Sequence, residues 1–250
     1  PLAGAPAAAA EQGLSLRSGV IQTPLLELYT SEGCSSCPPA DRYLTRLEEA
    51  PDLWQSVVPV AFHVTYWDYL GWRDPFASKG FDTRQRAIAA RERSGVYTPG
   101  MFLAGREWRS WRRAPQPTTG QTVGVLSATV TCDQIRVQFE GEALPDDRQP
   151  THLEFAWLTR NTSSKVLRGE NRGRTLAHAF VARSHERVPL LRSGELQTAV
   201  AATAGCASAP VIGPLVTTAD GSEDTAVAVW VSDRQGRPIQ AVGGFWPRLP

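Results

Sequence analysis

The chain has 250 residues, 42% of them hydrophobic, and a formal net charge of +1. That length and apolar fraction suit one large domain or two small ones with a real core. The balanced charge gives no global reason to expect nucleic acid or an acidic surface as partner, and the longest apolar runs fall far short of the ~20 residues of a membrane-spanning helix.

From Pro1 to Ala10 the chain is almost all Ala, Pro, Gly and Leu, and Gly13 to Gly19 is small and polar. Residues 1–19 read as a flexible leader, of the kind left by signal-peptide removal or by truncation. Four cysteines, an even number, are consistent with an oxidising compartment. The expected location is therefore periplasmic or secreted.

Val20 to Thr30 is the first strand candidate, with Pro24 making its start irregular or placing it at an edge. It leads into Thr30-Ser31-Glu32-Gly33-Cys34-Ser35-Ser36-Cys37-Pro38-Pro39-Ala40-Asp41. Ala40, Tyr43, Leu44 and Leu47 then recur at helical spacing. The order is strand, tight polar turn, Cys-x-x-Cys, helix, which is the arrangement of a thioredoxin-like redox site. Two prolines suit the first helical turn, so the helix is expected to begin near Cys37. Cys34 then sits at the exposed tip as the attacking thiol, with Cys37 resolving. The positive helix end and the N–H groups near Gly33 to Ser36 are expected to lower the Cys34 pKa toward roughly 7, from a free-thiol value of about 8.5. The alternatives are half of a zinc site and a static local disulfide that stiffens the turn.

Val57 to Val64 is a continuous apolar run and reads as a buried strand of a parallel sheet. His63 near its end is either a satisfied structural histidine or a third ligand beside Cys34 and Cys37. Thr65 to Phe76 mixes aromatics with two aspartates. Trp67, Asp68 and Trp72 are candidates for a substrate wall, because loops at strand carboxyl ends gather around such sites. The competing reading is that they cover a core edge. Asp82-Thr83-Arg84-Gln85 is spaced like a capping box, and its helix is expected to stop at Gly95. Thr98-Pro99 then enters a short apolar strand. Thioredoxin-like folds keep a cis-proline there, opposite the disulfide, so Pro99 and Thr98 are expected to orient an incoming peptide.

Three passages, Glu27 to Asp41, Tyr66-Trp67-Asp68 through Trp72-Arg73-Asp74, and Tyr97-Thr98-Pro99, with Gly169 to Leu176 as a fourth, carry a resemblance. The chain resembles a bacterial family of secreted or periplasmic thioredoxin-like proteins of unknown function. The resemblance spans about Val20 to Trp246. It implies an α/β thioredoxin-like domain, residues 20–115, followed by a mostly antiparallel, sandwich-like β domain, residues 116–250. In thioredoxins a buried acid beneath the disulfide assists proton transfer, and Glu27 is the candidate here; its alternative is an exposed strand carboxylate. Gly100 after Pro99 departs from the family pattern, where a polar residue is more usual.

Arg106 to Arg113 reads as a solvated segment closing the first half, and Pro115 to Gly120 as a linker. Beyond it the pattern has period two: Val123–Thr131, Ile135–Phe139, Leu153–Thr159, Ala226–Val231 and Ile239–Phe245 are strand candidates. Cys132 and Cys206 are expected to form one structural disulfide, worth roughly 4 kcal/mol in the loop-entropy view. Gly169 to Arg174 is a polar turn, either free in solvent or docked at a domain interface with Glu170 on an arginine.

Three functions follow. The first is an extracytoplasmic thiol–disulfide oxidoreductase, acting on protein thiols and disulfides or a small thiol, with no cofactor, no nucleic acid and no membrane span. The second is a copper carrier on Cys34, Cys37 and His63, since soft thiolates suit Cu(I). The third is a non-catalytic binding module that uses the fold as a scaffold.

Overall fold

A computed structural model describes residues 13–113, 119–131, 134–141, 144–190, 192–193, 195–201 and 224–247. Cys132 and Cys206 lie outside these residues, as does most of the expected linker. In the first half the elements are β1 (Gly13–Arg17), β2 (Leu25–Thr30), α1 (Pro38–Leu47), β3 (Val58–His63), α2 (Lys79–Glu92), β4 (Gly100–Leu103) and β5 (Arg106–Glu107). Then come β6 (Val125–Thr131), β7 (Gln134–Glu140), β8 (His152–Arg160), β9 (Thr162–Lys165), β10 (Thr175–His178) and β11 (Val181–Ala182). The last are β12 (Glu186–Pro189), β13 (Arg192–Ser193), β14 (Glu195–Ala201), β15 (Asp224–Ser232) and β16 (Pro238–Phe245).

The principal sheet has nine strands in the order β16-β15-β8-β11-β3-β2-β4-β5, with β12 also paired to β8. This overturns the expected fold class. Among the described residues strand far outweighs helix, with two α-helices, and strands from both halves share one large mixed sheet. They do not form an α/β thioredoxin-like domain followed by a β domain. The physical reason is β11. Val181 pairs parallel with Ala61 of β3 and antiparallel with Thr159 of β8. Two residues thus close the edge that β3 would otherwise present as unpaired N–H and C=O groups, which are costly to leave open.

β3 is fully buried, as a strand covered on both faces requires. β8 divides its side chains between two cores. Phe155 and Trp157 pack with Leu126, Val137 and Phe139 of the five-stranded sheet β1-β6-β7-β14-β13. Ala156 and Leu158 join Leu28, Phe62 and Phe180 on the other side. This is the period-two alternation of a strand buried on both faces. Gly13–Arg17, which composition assigned to the leader, pairs along its length with β6.

α2 begins earlier than its sequence signal suggested. Its N-cap is Ser78, whose hydroxyl accepts from the Gly80 N–H at 3.2 Å, and it ends with Arg93 in the left-handed region at φ 52°. Asp82 lies inside the helix, where its carboxylate accepts from the Thr65 N–H at 2.8 Å and the Thr65 hydroxyl at 2.6 Å. It ties the helix to the loop after β3 and does not cap it.

One buried ion-pair network crosses the joined sheet. Arg84 of α2 reaches Glu27 Oε2 of β2 at 2.8 Å and Glu154 Oε2 of β8 at 2.5 Å. Glu154 also accepts from the Ser232 hydroxyl of β15 at 2.5 Å and bonds His185 Nε2 at 2.9 Å. Burial alone would raise the Glu154 carboxyl, but Arg84 and the hydrogen bonds from His185 and Ser232 outweigh it and hold it well below the usual range.

Removing Arg84 leaves two buried carboxylates without their cation. Arg84→Met is expected to cost about 3–5 kcal/mol in denaturant unfolding. Because the Glu154 pKa is depressed in the fold, its contribution is present above the unfolded value of about 4.3 and is lost as pH falls through that value toward the folded one. Stability should therefore drop on acidification, with a shallower slope in Glu154→Gln. An unchanged slope would contradict this role.

Candidate functional site

Cys34 and Cys37 are joined by a disulfide, with Cα atoms 5.5 Å apart. Cys37 is the N-cap of α1, and Pro38 and Pro39 occupy its first turn, as the spacing suggested. Exposure differs from the expectation. Ser35 and Ser36 form the exposed tip, while both cysteines are fully buried. Of the N–H groups expected to stabilise a Cys34 thiolate, those of Gly33, Cys34 and Ser35 are engaged elsewhere. Gly33 N–H donates to the Ser31 hydroxyl, Cys34 N–H to the Ser31 carbonyl and Ser35 N–H to Glu170 Oε2. The prolines carry no N–H, and Ala40 and Asp41 donate theirs to the Cys37 carbonyl. The Ser36 hydroxyl, 3.4 Å from Cys34 Sγ, is the polar group in contact with the sulfur.

The cover comes from the second half. β9 and β10 pair as a small antiparallel sheet, and the intervening turn lies over the cysteines. The buried Asn171 donates from Nδ2 to the carbonyls of Glu32 and Cys34, each at 2.9 Å. Glu170 takes the Ser35 N–H at 2.9 Å, and its hydrogen bonds with Ser35 hold its carboxyl below the usual range. The turn is thus docked, and Glu170 is held by backbone rather than by an arginine.

Beneath the turn, Glu32 is fully buried. Its Oε2 accepts from Trp72 Nε1 at 2.7 Å, and its Oε1 accepts from the Ser164 hydroxyl and from His178 Nε2, the latter at 3.1 Å. Its N–H donates to Asp74 Oδ2 at 2.8 Å. The same oxygen accepts from His63 Nδ1 at 2.8 Å. Asp41 of α1 accepts from the Thr30 hydroxyl at 3.0 Å and stands 3.8 Å from His178 Nδ1, an ion-pair distance too long for a hydrogen bond. Burial lowers the His178 pKa, but Asp41 and Glu32 outweigh it and raise it to about 10. Burial raises the Asp74 carboxyl, and His63 with the N–H groups of Glu32 and Phe76 turns the balance to a net lowering.

The expected substrate residues divide. The Trp67 indole N–H donates to the Thr98 hydroxyl at 2.7 Å, and a Cβ on Gly33 would come within 2.8 Å of Trp67 Cβ. Trp67 therefore bridges the cysteine turn and the Thr98-Pro99 segment, whose peptide bond is cis. Pro99 lines an open groove of about 510 Å³ with Tyr97, Trp108, Trp111 and Arg112. Arg112 reaches the Ser36 carbonyl at 3.4 Å, which puts this groove beside the turn. Trp72 points its N–H at Glu32 and not into the groove. Asp68 accepts from the Asp74 N–H at 3.2 Å, and burial with the Asp74 charge pushes it above the usual carboxylate range.

Glu27 is not brought to the cysteines. Thr30 faces α1 through Asp41, whereas Glu27 and Tyr29 face Arg84 of α2. Successive strand residues alternate faces, so Glu27 lies on the sheet face away from α1. His63 joins Asp74 and His178, and the ligand-bearing group it belongs to contains no cysteine. Sequence reasoning missed Glu32, Asp41, Asp74, Asn171 and His178. Among these, Glu32 and Asp41 lay inside the cysteine motif, while no local signal marked His178.

Fold and site define a strand-rich protein with a covered Cys-x-x-Cys disulfide above a buried polar cluster. Residues 25–216 match the family described as "Protein of unknown function (DUF1223)", and the chain belongs to it. No curated protein matches the chain. Among solved structures, a crystal structure of a protein from Agrobacterium tumefaciens is similar, with TM-score 0.61 and 22% identity over 93% of this chain and 99% of that one. HBP35 of Porphyromonas gingivalis is similar at TM-score 0.53 and 12% identity, over 91% of this chain and 76% of that one. These likenesses concern the fold. Among the described residues no helix is long and apolar enough to cross a membrane.

Asn171→Ala removes the side-chain donor from the Glu32 and Cys34 carbonyls, of which Cys34 keeps the Cys37 N–H at 3.2 Å, so it should destabilise by about 1–3 kcal/mol. It should also speed reduction of the Cys34–Cys37 disulfide by dithiothreitol several-fold. A reduction rate equal to that of the parent would show that the turn does not control access.

Proposed function

We propose that the Cys34/Cys37 pair is a thiol–disulfide exchange centre outside the cytoplasm, acting as reductant on the disulfides of proteins or of a small thiol. The observation that carries this is the disulfide at the N-terminus of α1, next to an open groove walled by Pro99 and by Arg112, which holds the Ser36 carbonyl between the two cysteines. A substrate strand laid along Pro99 would bring its sulfur to the turn once the Gly169–Arg174 loop lifts.

In the reduced protein the Cys34 thiolate attacks one sulfur of a substrate disulfide, forming a mixed disulfide and releasing the other substrate sulfur as a thiolate. The Cys37 thiolate then attacks Cys34 Sγ, closing the intramolecular disulfide and releasing the second substrate thiol. Two electrons pass from the pair to the substrate, and an external dithiol restores the reduced form. The reducing direction follows from the turn's electrostatics. A strongly oxidising pair needs a stabilised thiolate in its reduced form. Here the N–H groups of Gly33, Cys34 and Ser35 are engaged, the last by the Glu170 carboxylate itself, and the Glu32 carboxyl group lies buried beside the turn.

The reduction potential of the pair should therefore lie nearer about −270 mV than about −120 mV. Cys34→Ser should abolish insulin reduction, and Cys37→Ser should accumulate mixed disulfides. A potential near the oxidising end would reverse the direction. Absence of both turnover and trapping would reduce the disulfide to a static cross-link.

A further inference from the structure

We propose that Asp41, His63 and His178 form a binding site for one divalent transition-metal ion of the zinc class, buried beneath the disulfide. The three residues come from α1, β3 and β10, each bringing a ligand atom to within 4.8 Å of the others. All three are buried, with His63 at 0% and His178 at 3% exposure.

The hydrogen bonds decide which atoms are available. His63 Nδ1 is spent on Asp74, and His178 Nε2 on Glu32. The opposite ring nitrogens, His63 Nε2 and His178 Nδ1, are buried and have no hydrogen-bond partner. An unpaired buried polar atom carries a desolvation cost, and two on rings packed edge to face with centroids 4.9 Å apart, within one ligand group, point to a shared occupant. The pattern is that of metal-bound imidazoles: one nitrogen free for the ion, the other donating to a carboxylate that fixes the ring's orientation. Here both rings have such a carboxylate, Asp74 for one and Glu32 for the other.

Charge and size agree. Asp41, Asp74 and Glu32 converge on two imidazoles in a buried space, where negative charge must be compensated, and a divalent ion would do so in place of a proton on His178 Nδ1. A tetrahedral zinc with bonds of about 2.0–2.2 Å holds its ligand atoms roughly 3.4 Å apart. The 3.8 Å between His178 Nδ1 and Asp41 Oδ1 needs little closure, and the set as a whole, spread within 4.8 Å, must draw in further to bind. Two imidazoles and one carboxylate suit zinc or cobalt better than calcium or magnesium, which prefer all-oxygen sets. One coordination position remains for a water molecule. Asp41 lies four residues after Cys37, one helical turn below it on the same face of α1, so the ion would brace the base of the redox turn without using its sulfurs.

The test uses the full chain with its disulfide intact, stripped by chelator and loaded with zinc or cobalt during refolding as well as by incubation. About one ion per chain after desalting is expected, with cobalt giving the visible absorption of a four-coordinate N/O site. X-ray absorption on the zinc form should show nitrogen and oxygen neighbours only. His63→Gln and His178→Gln should lose stoichiometric uptake, and Glu32→Gln should weaken it about 10–100-fold. His152→Gln, and the Cys34→Ser/Cys37→Ser double variant, should bind like the parent. If a histidine variant does not fold, the parent's zinc-dependent Tm and its absorption spectrum decide instead. No uptake by the parent, a sulfur neighbour, or uptake that survives both histidine variants overturns the proposal. The exchange activity proposed above is read separately by insulin reduction, which does not depend on this outcome.

Discussion

The carboxylate of Glu32 is the interaction on which the candidate site depends. It is a fully buried charge on the strand-to-helix turn, and it is met by Trp72 from the loop after β3 and by Ser164 and His178 from the β9–β10 hairpin. A buried carboxylate is tolerable only when its lone pairs are taken. The chain meets that demand with residues as far as 146 positions away. In doing so it fixes the hairpin over the cysteines, and Asn171 then completes the closure by taking the carbonyls on either side of Gly33.

This arrangement makes the cysteine pair a property of the whole molecule. Local sequence supplies the disulfide, the N-cap and the proline turn. The second half supplies what buries them and part of what sets their electrostatics. The same joining is seen on the opposite face of the sheet, where Arg84 bridges Glu27 and Glu154 with its guanidinium 5.4 Å from the Phe62 ring and 5.3 Å from the Trp230 ring. Two buried polar clusters lock the first half to the second, Glu32 to the β9–β10 hairpin and Arg84 to β8 and, through Glu154, β15.

Much of the element pattern was legible. The Val57–Val64 run became β3, the period-two segments became β6, β7, β8, β15 and β16, and the helix after Cys37 began where two prolines permit it. What was not legible is how the elements pair. Periodicity reports which face of a segment is apolar, not which distant strand it meets. Val181–Ala182 is too short to carry a strand signal, yet it merges what the linker reading and the resemblance separated into two domains. The site was legible only where its chemistry is local. Cys34, Cys37 and Pro99 stand out from their neighbours. Glu32, Asp41 and His178 look like ordinary polar residues until folding removes them from water. Glu27 shows the converse: its position in the chain suggested the disulfide, but strand alternation turns it to the other face.

A double-mutant cycle between Glu32 and His178 tests most directly whether this carboxylate holds the two halves of the site together. Glu32→Gln, His178→Gln and the double variant would be compared by denaturant unfolding of chelator-treated, disulfide-intact protein. The structure predicts a coupling energy above about 1 kcal/mol, within the range of contacting groups in one polar network. Additivity of the two single substitutions to within about 0.3–0.5 kcal/mol would contradict it.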